Sequence, residues 1–465
     1  MSDDPASSPE RLYGTVALVG IVVLAFLAGS FTTAFETFPY PQLLKPPFEA
    51  LRAVRKLPLT PTLADDVWVP ARHEPGTSHP APDASYDGYT MFSSGHADAV
   101  YLIDMEGELV HEWRKSFREA FPNHPQVADP VPPAAINFMG LHLYDDGRVL
   151  GIYDASYETP YGYGLVMLNA RSEVVWRYPA RTHHDVHVGS DGEVWVLEHA
   201  WRDPAREPIE GFSKKPPRVL EDFAVKLSPQ GEVERRFSLV DVISDSPDRE
   251  VFSRWLGRQQ CHETWDVTHA NSIEPIGADF AEHHDFADPG DLLVSLRTLN
   301  ALMLVDPEKQ SLEWIERGFW LGQHDPDPMS NGHVMLYDNL GDSGPTGFSR
   351  IVEFDPATGE RIWAYRGTEA NPFHERWGGS QQLLPNGNVL ITEPIGARLL
   401  EVTRSGEVVW EYRSPAQATW KGRRVTSILE PATRIAPDEI DFEFNRPSPS
   451  ESTLTVEKPK PVDFY

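Results

Sequence analysis

A short sequence frame recurs along the chain and constrains its fold more than any other feature. The frame consists of a strand-start position, five further residues, an Asp-Gly or Asn-Gly turn signal and an apolar run. It occurs four times, at Gly140, His184-Asp185, His324-Asp325 and Ser380. Because equivalent positions of repeated units lie at equivalent places in space, side chains at these strand starts converge if the units surround an axis.

A second repeat indicates the number of units. Short β-type runs end in an aromatic residue after a polar turn, and six such markers are present: Trp113, Trp176, Phe237, Trp314, Trp363 and Trp410. The 42 Pro, 33 Gly and 13 Trp fit many short strands joined by tight turns. The sequence therefore predicts an all-β fold, a six-bladed β-propeller covering residues 86–415.

The N-terminal region differs from this pattern. Residues 12–35 carry no charged side chain, and a helix of that length covers a hydrocarbon core of roughly 30 Å. The sequence predicts a short segment at 1–11, a transmembrane helix at 12–35 and a Pro-rich stem at 36–85. A cleaved signal peptide is the alternative for the apolar segment. Residues 416–465 are predicted to be a closing segment and a disordered tail rich in Pro, Ser and Glu.

Composition excludes some functions. The formal net charge is -29, and no basic stripe is present to neutralise phosphates, so nucleic-acid binding is not expected. The single cysteine, Cys261, rules out an intramolecular disulfide and leaves the redox compartment open. The sequence does not indicate an oligomeric state.

Three histidines fall at strand starts of successive units: His184, His269 and His324, with Arg297 on the next strand of the His269 unit. Several imidazoles and one guanidinium at the floor of a funnel would bind an anion and exchange protons, which suits sulfate or phosphate ester chemistry. The alternative is structural, because His and Asp at strand starts also hydrogen-bond between blades.

Four segments resemble a known family: HHDVHVGSDGEVWVLEH, DVTHANSIEP with SLR, GQHDPDPMSNGHVMLYDN with SRIVEFDPATGERIWAY, and WGGSQQLLPNGNVLITE. They resemble the bacterial arylsulfate sulfotransferases, six-bladed propellers that use no nucleotide sulfate donor. The resemblance covers roughly residues 86–415. It implies that His324 is the nucleophile that forms a sulfohistidine, and that His184, His269 and Arg297 are further catalytic residues. Family members are periplasmic, with an N-terminal β domain and a disulfide that this chain does not share.

The resemblance implies an aryl sulfate donor, a phenol acceptor and no cofactor. In this chemistry Arg297 would stabilise the sulfuryl oxygens, and His269 or His184 would protonate the departing phenolate. Asp325 or Asp185 would fix a histidine tautomer or be structural. The expected location is the cytoplasmic (inner) membrane, with the propeller outside. The basic residues after the helix, Lys45, Arg52, Arg55 and Lys56, favour the opposite orientation.

Other functions were weighed. A catalytically silent propeller would bind a ligand or a protein partner. A quinoprotein dehydrogenase is suggested by FDPATGERIWAY, but one unit alone shows this repeat fully. A metal site at His183, His184 and His187 is disfavoured, because His184 and His187 would face opposite sides of a strand. No metal site is therefore predicted.

Overall fold

A computed structural model of the chain describes residues 67–456 and residue 459, except residues 157, 210–217, 248–265, 343–347 and 370. The predicted transmembrane helix at 12–35, most of the predicted stem and Cys261 lie outside these residues. Among the helices that are described, none has the length and apolar character needed to span a membrane.

The described chain consists mainly of short strands. In chain order these are β1 (Trp68–Pro70), β2 (Gly76–Ser78), β3 (Tyr89–Ser93), β4 (Ala99–Ile103), β5 (Leu109–Arg114), β6 (Ile136–Leu143), β7 (Val149–Ala155), β8 (Gly162–Leu168), β9 (Val174–Tyr178), β10 (Thr182–Val188), β11 (Val194–Arg202), β12 (Val219–Leu227), β13 (Val233–Ser238) and β14 (Ala270–Pro275). They continue with β15 (Leu292–Leu296), β16 (Ala301–Asp306), β17 (Ser311–Glu316), β18 (His324–Pro328), β19 (Val334–Asp338), β20 (Arg350–Phe354), β21 (Arg361–Tyr365), β22 (Ser380–Leu383), β23 (Val389–Glu393), β24 (Arg398–Val402), β25 (Val408–Arg413), β26 (Gln417–Trp420), β27 (Arg423–Ser427) and β28 (Thr433–Ile435). Short α-helices lie between some of them, namely α1 (Phe117–Ala120), α2 (Leu239–Ser244) and α3 (Ala278–Ala281).

The strands form six antiparallel sheets, numbered here in chain order. Sheet 1 has the order β28-β3-β4-β5, sheet 2 is β6 to β9, sheet 3 is β10 to β13, sheet 4 is β14 to β17, sheet 5 is β18 to β21, and sheet 6 has the order β22-β23-β24-β25-β2. A smaller sheet of order β1-β27-β26 stands apart from these. The predicted all-β class is confirmed, and the six aromatic markers correspond to six sheets.

The six sheets form a closed, propeller-like ring. The first strands of consecutive sheets contact each other from β6 through β10, β14 and β18 to β22, and β3 contacts β6. The ring closes between sheet 6 and sheet 1, where the Gln382 side chain donates to the Arg434 carbonyl at 3.0 Å. The Gln382 side-chain oxygen also accepts from the Arg434 amide at 2.7 Å. First strands of all six sheets therefore surround one axis.

The aromatic markers hold neighbouring sheets together. Each marker lies on the fourth strand of its sheet, counted from the axis. The Trp176 indole donates to Pro229 O at 3.1 Å in the next sheet, and the Trp410 indole donates to Met105 O at 2.8 Å across the closure. The Trp410 indole is buried, and a buried indole N–H requires an acceptor. A tryptophan at this position thus ties its sheet to the next one.

Apolar side chains fill the space between sheets. Leu150 and Ile152 of sheet 2 pack with Val194 and Val196 of sheet 3 in one buried cluster. Each fully buried side chain of this size contributes about 1.5–3 kcal/mol relative to exposure. This packing holds the inner strands rigidly, and the inner strands carry the site.

The ends of the ring domain differ from the sequence prediction. β28 completes sheet 1 although it lies beyond the predicted boundary at residue 415, and β2, from the predicted stem, extends sheet 6. The described part of the tail is also packed, since Leu454 is buried and Thr453 donates to Glu112 at 2.8 Å. The composition of the tail predicts disorder, but its few apolar and hydroxyl groups have partners on sheet 1.

Candidate active site

A cavity of about 440 Å³ brings the four predicted site residues together. His184 lies in β10, His269 directly precedes β14, and His324 begins β18. Arg297 directly follows β15. All four line this cavity, called the site cavity below. The remaining lining residues are Asn137, Met139, Asp154, Ala155, Ser156, Glu158, Tyr161, Trp377, Gly378, Pro394, Ile428 and Glu430.

Left-handed backbone conformations mark the inner strands where they reach this cavity. His184 has a φ of 57°, His269 of 47° and Asp325 of 50°, and β-bulges interrupt the pairing of β10 and β18 at this level. Such conformations cost of order 1–3 kcal/mol for non-glycine residues and concentrate at functional sites. At Gly140, with a φ of 55°, an added Cβ would lie 2.7 Å from the His184 carbonyl oxygen. Sheet 2 therefore needs glycine where the other units tolerate a side chain.

His324 is held in one tautomer. Its Nδ1 lies 2.8 Å from Asn339 Oδ1, and the Asn339 amide nitrogen donates to Gly378 O at 2.8 Å. Since the Asn339 nitrogen is engaged there, its oxygen faces the imidazole, so His324 Nδ1 carries the proton. His324 Nε2 keeps its lone pair and accepts a long hydrogen bond, 3.2 Å, from the Gly378 amide.

His324 is also neutral over the physiological range. Burial, together with the charge of Arg297, lowers its pKa to about 3. A neutral imidazole with an unprotonated Nε2 is the nucleophilic form of histidine.

His269 has a carboxylate partner. Its Nδ1 lies 2.5 Å from Asp266 Oδ2, and Asp266 Oδ1 accepts from the His269 amide at 3.1 Å. The carboxylate accepts the Nδ1 proton and leaves Nε2 to exchange protons with a bound molecule. The Arg297 amide donates to His269 O at 3.1 Å, which ties Arg297 to the same strand start.

Arg297 supplies positive charge to the cavity. Its guanidinium forms no ion pair within the described parts of the chain. Burial lowers its pKa, while Tyr161 and Asp266 act in the opposite direction. Because an arginine pKa starts above 12, the group remains cationic, and its charge is available to an anionic ligand.

His184 lies beside His269 but has a different environment. The two rings are 5.0 Å apart between centroids. His184 Nδ1 lies 2.9 Å from Nδ1 of its neighbour His183. Burial, followed by the nearby histidines, lowers the pKa of His184 well below its ordinary value, so this ring is also neutral.

The aspartates next to the histidines are structural. Asp185 accepts from the Ile273 amide in sheet 4 at 2.9 Å, and Asp325 accepts from the Gln381 amide in sheet 6 at 2.9 Å. Each carboxylate thus bridges to the following sheet. The alternative role considered for them, fixing a histidine tautomer, falls instead to Asn339 and Asp266.

One wall of the site cavity is apolar. Trp377 is 43% exposed, although it is among the largest side chains of the protein, and it lines the cavity with Pro394 and Ile428. A cationic and imidazole-rich floor below an aromatic wall fits a ligand with an anionic head and a flat apolar body.

A second cavity, of about 580 Å³, lies along the inner strands and shares His184 and His324 with the first. Its walls are acidic, with Asp185, Glu274, Asp325, Asp327 and Glu430 among the lining residues. Burial raises the pKa of Glu430 to about 8, so Glu430, which lines both cavities, is protonated at neutral pH.

Sequence reasoning missed three residues at this site. Asn339 and Asp266 orient the histidines, and Tyr161 packs against His184 and His269 at centroid distances of 5.4 and 5.9 Å. Asn339 ends the quoted segment GQHDPDPMSNGHVMLYDN, so its place after β19 was a usable signal, whereas Asp266 and Tyr161 stand in irregular segments. Potential metal ligands also differ from the set weighed above, since His183 groups with His199 and Asp222.

One of the comparisons with known proteins identifies a family. The arylsulfotransferase (ASST) family matches residues 141–415. No curated protein matches significantly. Similar solved structures include a protein of unknown function from Bacteroides caccae, with 11% identity over 74% of this chain and 99% of that chain and a TM-score of 0.44. They also include virginiamycin B lyase from Staphylococcus aureus, with 14% identity over 63% of this chain and 77% of that chain and a TM-score of 0.34.

Proposed function

Because the chain belongs to the arylsulfotransferase family, we propose that it moves a sulfuryl group from an aryl sulfate to a phenol, with a covalent intermediate on His324. No nucleotide sulfate donor and no cofactor take part. The observation that carries this proposal is the neutral His324, with its proton fixed on Nδ1 by Asn339 and the cationic Arg297 in the same cavity.

The first half-reaction forms the intermediate. The lone pair of His324 Nε2 attacks sulfur, the bond between sulfur and the aryl oxygen breaks, and the phenolate leaves with the bonding electrons. The Asn339 oxygen stabilises the positive charge that develops on the ring through the Nδ1 proton. Arg297 stabilises the sulfuryl oxygens, and the departing phenolate takes a proton from His269.

The second half-reaction reverses these roles. An acceptor phenol gives its proton to His269, which Asp266 orients at 2.5 Å, and the phenolate attacks the sulfur on His324. The bond between sulfur and Nε2 breaks, and its electrons return to the imidazole. Donor and acceptor react in turn at the same nitrogen of His324. Because both are aryl compounds, one site can bind each of them.

The Gly378 amide takes a second role in this sequence. At rest it donates to His324 Nε2 at 3.2 Å, so the incoming sulfur must displace it. Gly378 and Gly379 have φ values of 73° and 101°, conformations that glycine adopts at low cost. After displacement, the amide remains beside the sulfuryl oxygens as a donor.

The apolar wall supports an aryl substrate. Trp377, Pro394 and Ile428 offer a surface against which a phenyl ring can pack, while the sulfate meets His324 and Arg297. Glu430 is protonated at neutral pH and therefore does not repel the sulfate there.

We also propose a location. The uncharged segment at 12–35 anchors the chain in the cytoplasmic membrane, with the ring domain on the outer side. Protease added after permeabilising the outer envelope alone should then degrade the ring domain. Protection until the inner membrane is lysed would reverse the orientation.

The central test is transfer from 4-nitrophenyl sulfate to phenol by the purified full chain without added nucleotide. Donor alone should leave an acid-labile sulfuryl group on the peptide that contains His324, detected by mass spectrometry after rapid quenching. Addition of phenol should remove this group and yield phenyl sulfate. The matched control is His333→Ala, which changes an imidazole of the same sheet outside the site cavity.

Two results would reject the proposal. Transfer by His324→Ala at the wild-type rate would exclude the covalent intermediate. Tight binding of aryl sulfates by the wild type, with no turnover over a panel of phenols, would favour a propeller that binds without catalysis.

A further inference from the structure

Three buried polar side chains form a cluster beside the site cavity. His183 lies in β10, His199 in β11 and Asp222 in β12, three consecutive strands of sheet 3. His199 and Asp222 are direct cross-strand partners, and the His183 and His199 rings stack at 4.4 Å between centroids. Their exposed fractions are 0%, 1% and 0%. The three side chains therefore share one face of one sheet and have no access to bulk water.

One atom of each side chain lacks a hydrogen-bond partner in the described structure. These atoms are His183 Nε2, His199 Nδ1 and Asp222 Oδ1. One potential ligand atom of each side chain lies within 4.8 Å of those of the other two, and His183 Nε2 is 3.4 Å from Asp222 Oδ1. An unsatisfied buried polar atom costs about 1–3 kcal/mol. The contact between His183 and Asp222 can satisfy two of the three atoms as an ion pair, but it leaves His199 Nδ1 without a partner.

We propose that His183, His199 and Asp222 bind one divalent transition-metal ion, with Zn²⁺ the best match to the ligand types. Imidazole nitrogen and carboxylate oxygen bind Zn²⁺ at about 2.0–2.2 Å, so tetrahedral ligand atoms lie roughly 3.4 Å apart. The separation between His183 Nε2 and Asp222 Oδ1 already has this value. His199 supplies the third ligand atom, which lies within 4.8 Å of the other two.

The second carboxylate oxygen of Asp222 is held as a metal site requires. Asp222 Oδ2 accepts from Thr268 Oγ1 at 2.6 Å and from the Ala270 amide at 2.7 Å, which fixes the carboxylate. Partners of this kind orient metal ligands and are part of the site. The Gly162 amide donates to His199 Nε2 at 3.4 Å, a long contact. Metal on His199 Nδ1 places the ring proton on Nε2, so binding replaces this contact.

The fourth coordination position faces an aromatic neighbour. Tyr161 packs against His199 at 4.6 Å and against His183 at 5.6 Å between centroids. The Tyr161 hydroxyl is buried and also has no hydrogen-bond partner. This hydroxyl, or a water molecule beside it, completes a four-coordinate site.

The ion would connect to the site cavity through one hydrogen bond. Metal on His183 Nε2 leaves the ring proton on Nδ1, which donates to His184 Nδ1 at 2.9 Å. His184 then holds its own proton on Nε2. The metal therefore sets the tautomer of a histidine that lines the site cavity, which makes the three ligands positioning residues for His184.

The experiment measures metal directly in the detergent-solubilised full chain. After treatment with a chelator, Zn²⁺ or Co²⁺ is added in slight excess and free ion is removed. We expect about one ion per chain, d–d absorption bands of four-coordinate Co²⁺ and a rise in Tm of at least about 5 °C. X-ray absorption of the Zn²⁺ form should show two imidazole ligands and oxygen.

Matched variants locate the ion. Asp222→Asn and His199→Phe should lose the bound ion and the rise in Tm, whereas His187→Gln should keep both. His187 lies on the same strand as His183 but lines the acidic cavity instead. If a variant does not fold, the Co²⁺ spectrum and X-ray absorption of the wild type still decide. Failure of the wild type to retain Zn²⁺ or Co²⁺, or a site without imidazole, would overturn the proposal, whatever the sulfotransferase activity.

Discussion

Sheets 3 and 5 carry the same sequence frame but use it differently. In sheet 5, His324 pairs with Tyr337, and the bulge follows at Asp325. In sheet 3 the bulge lies one residue earlier, so His183 pairs with Leu197 and His184 adopts the left-handed backbone. His183, rather than the aligned His184, is therefore the register equivalent of His324.

The residue from the second half of the hairpin that contacts this histidine also differs between the two sheets. Seven residues after the turn glycine, sheet 5 has Asn339 and sheet 3 has His199. Asn339 fixes one tautomer of His324, whereas His199 stacks on His183 and joins the cluster with Asp222. One shift in a bulge and one difference in sequence thus separate the proposed nucleophile from a buried polar cluster. The aspartate bridges to the next sheet remain common to both.

The two histidines of the frame provide the most severe test of this difference. His324→Ala should lower kcat/KM by about 10⁴-fold or more, since no other group replaces a covalent nucleophile. His184→Ala should lower it by about 10²-fold, and the sulfuryl group should still form on His324. Stopped-flow absorbance at the 4-nitrophenolate band and peptide mass spectrometry measure both.

A sulfuryl group found on His184 would reverse the assignment of the two sheets. The control is His333→Ala, whose kcat/KM should stay within about twofold of the wild type.

The tautomer of His324 gives the next largest effect. Asn339→Leu removes the acceptor for the Nδ1 proton and should lower kcat/KM by about 10²-fold, since part of the ring population then carries its proton on Nε2. Asn339→Asp keeps an acceptor and should recover most of the rate. Equal rates for Asn339→Leu and the wild type would mean that the tautomer is not fixed in this way. Asn331→Ala, at the turn of the same hairpin, serves as the control.

Much of the fold was predictable because it rests on short-range patterns. Turn glycines, apolar runs and six aromatic markers identified the sheets. The indoles of two of these markers, Trp176 and Trp410, donate to a carbonyl in the next sheet. A closing segment was predicted within 416–465, but its strand β28 and the pairing with β3 were not, because β3 lies far away in sequence. The position of a bulge was also hidden, because a shift of one residue leaves the pattern of turn and apolar run unchanged.

The residues that line the candidate site were predictable to a similar extent. His184, His269, His324 and Arg297 do line one cavity, because strand starts around an axis converge. Of the residues that contact these histidines, Asn339 left a signal in the sequence, whereas Asp266 and Tyr161 did not. Asp266 and Tyr161 belong to irregular segments, and the folding of the chain brings them to the histidines.

Because both sheets have the aspartate bridge, we expect removal of the aspartate to lower stability equally in sheets 3 and 5. Asp185→Ala and Asp325→Ala should each lower the free energy of unfolding by about 2 kcal/mol, because the Ile273 and Gln381 amides lose their acceptors. Asp185→Asn and Asp325→Asn keep a carbonyl acceptor and should cost less than about 1 kcal/mol. Urea unfolding followed by tryptophan fluorescence measures all four. A large loss in one sheet alone would show that the bridges are not equivalent.

The smallest effect concerns a carboxylate that sheet 5 has and sheet 3 lacks. Asp327 occupies the position of His187 in the frame, and burial followed by the charge of Glu274 raises its pKa well above the ordinary value. Such a group binds more protons in the folded than in the unfolded state, so its contribution to stability is complete below about pH 4 and is lost as pH rises through the folded pKa. Asp327→Asn keeps the acceptor for the Gln381 side chain.

We therefore expect Asp327→Asn to raise the free energy of unfolding at pH 8 by on the order of 1 kcal/mol and to change it little at pH 4. Urea unfolding at intervals between these pH values measures the difference. Asp191→Asn, at the exposed turn of sheet 3, serves as the control. A constant difference in the free energy of unfolding between Asp327→Asn and the wild type across this range would mean that Asp327 titrates alike in the folded and unfolded chains. The titration of this carboxylate would then not distinguish sheet 5 from sheet 3.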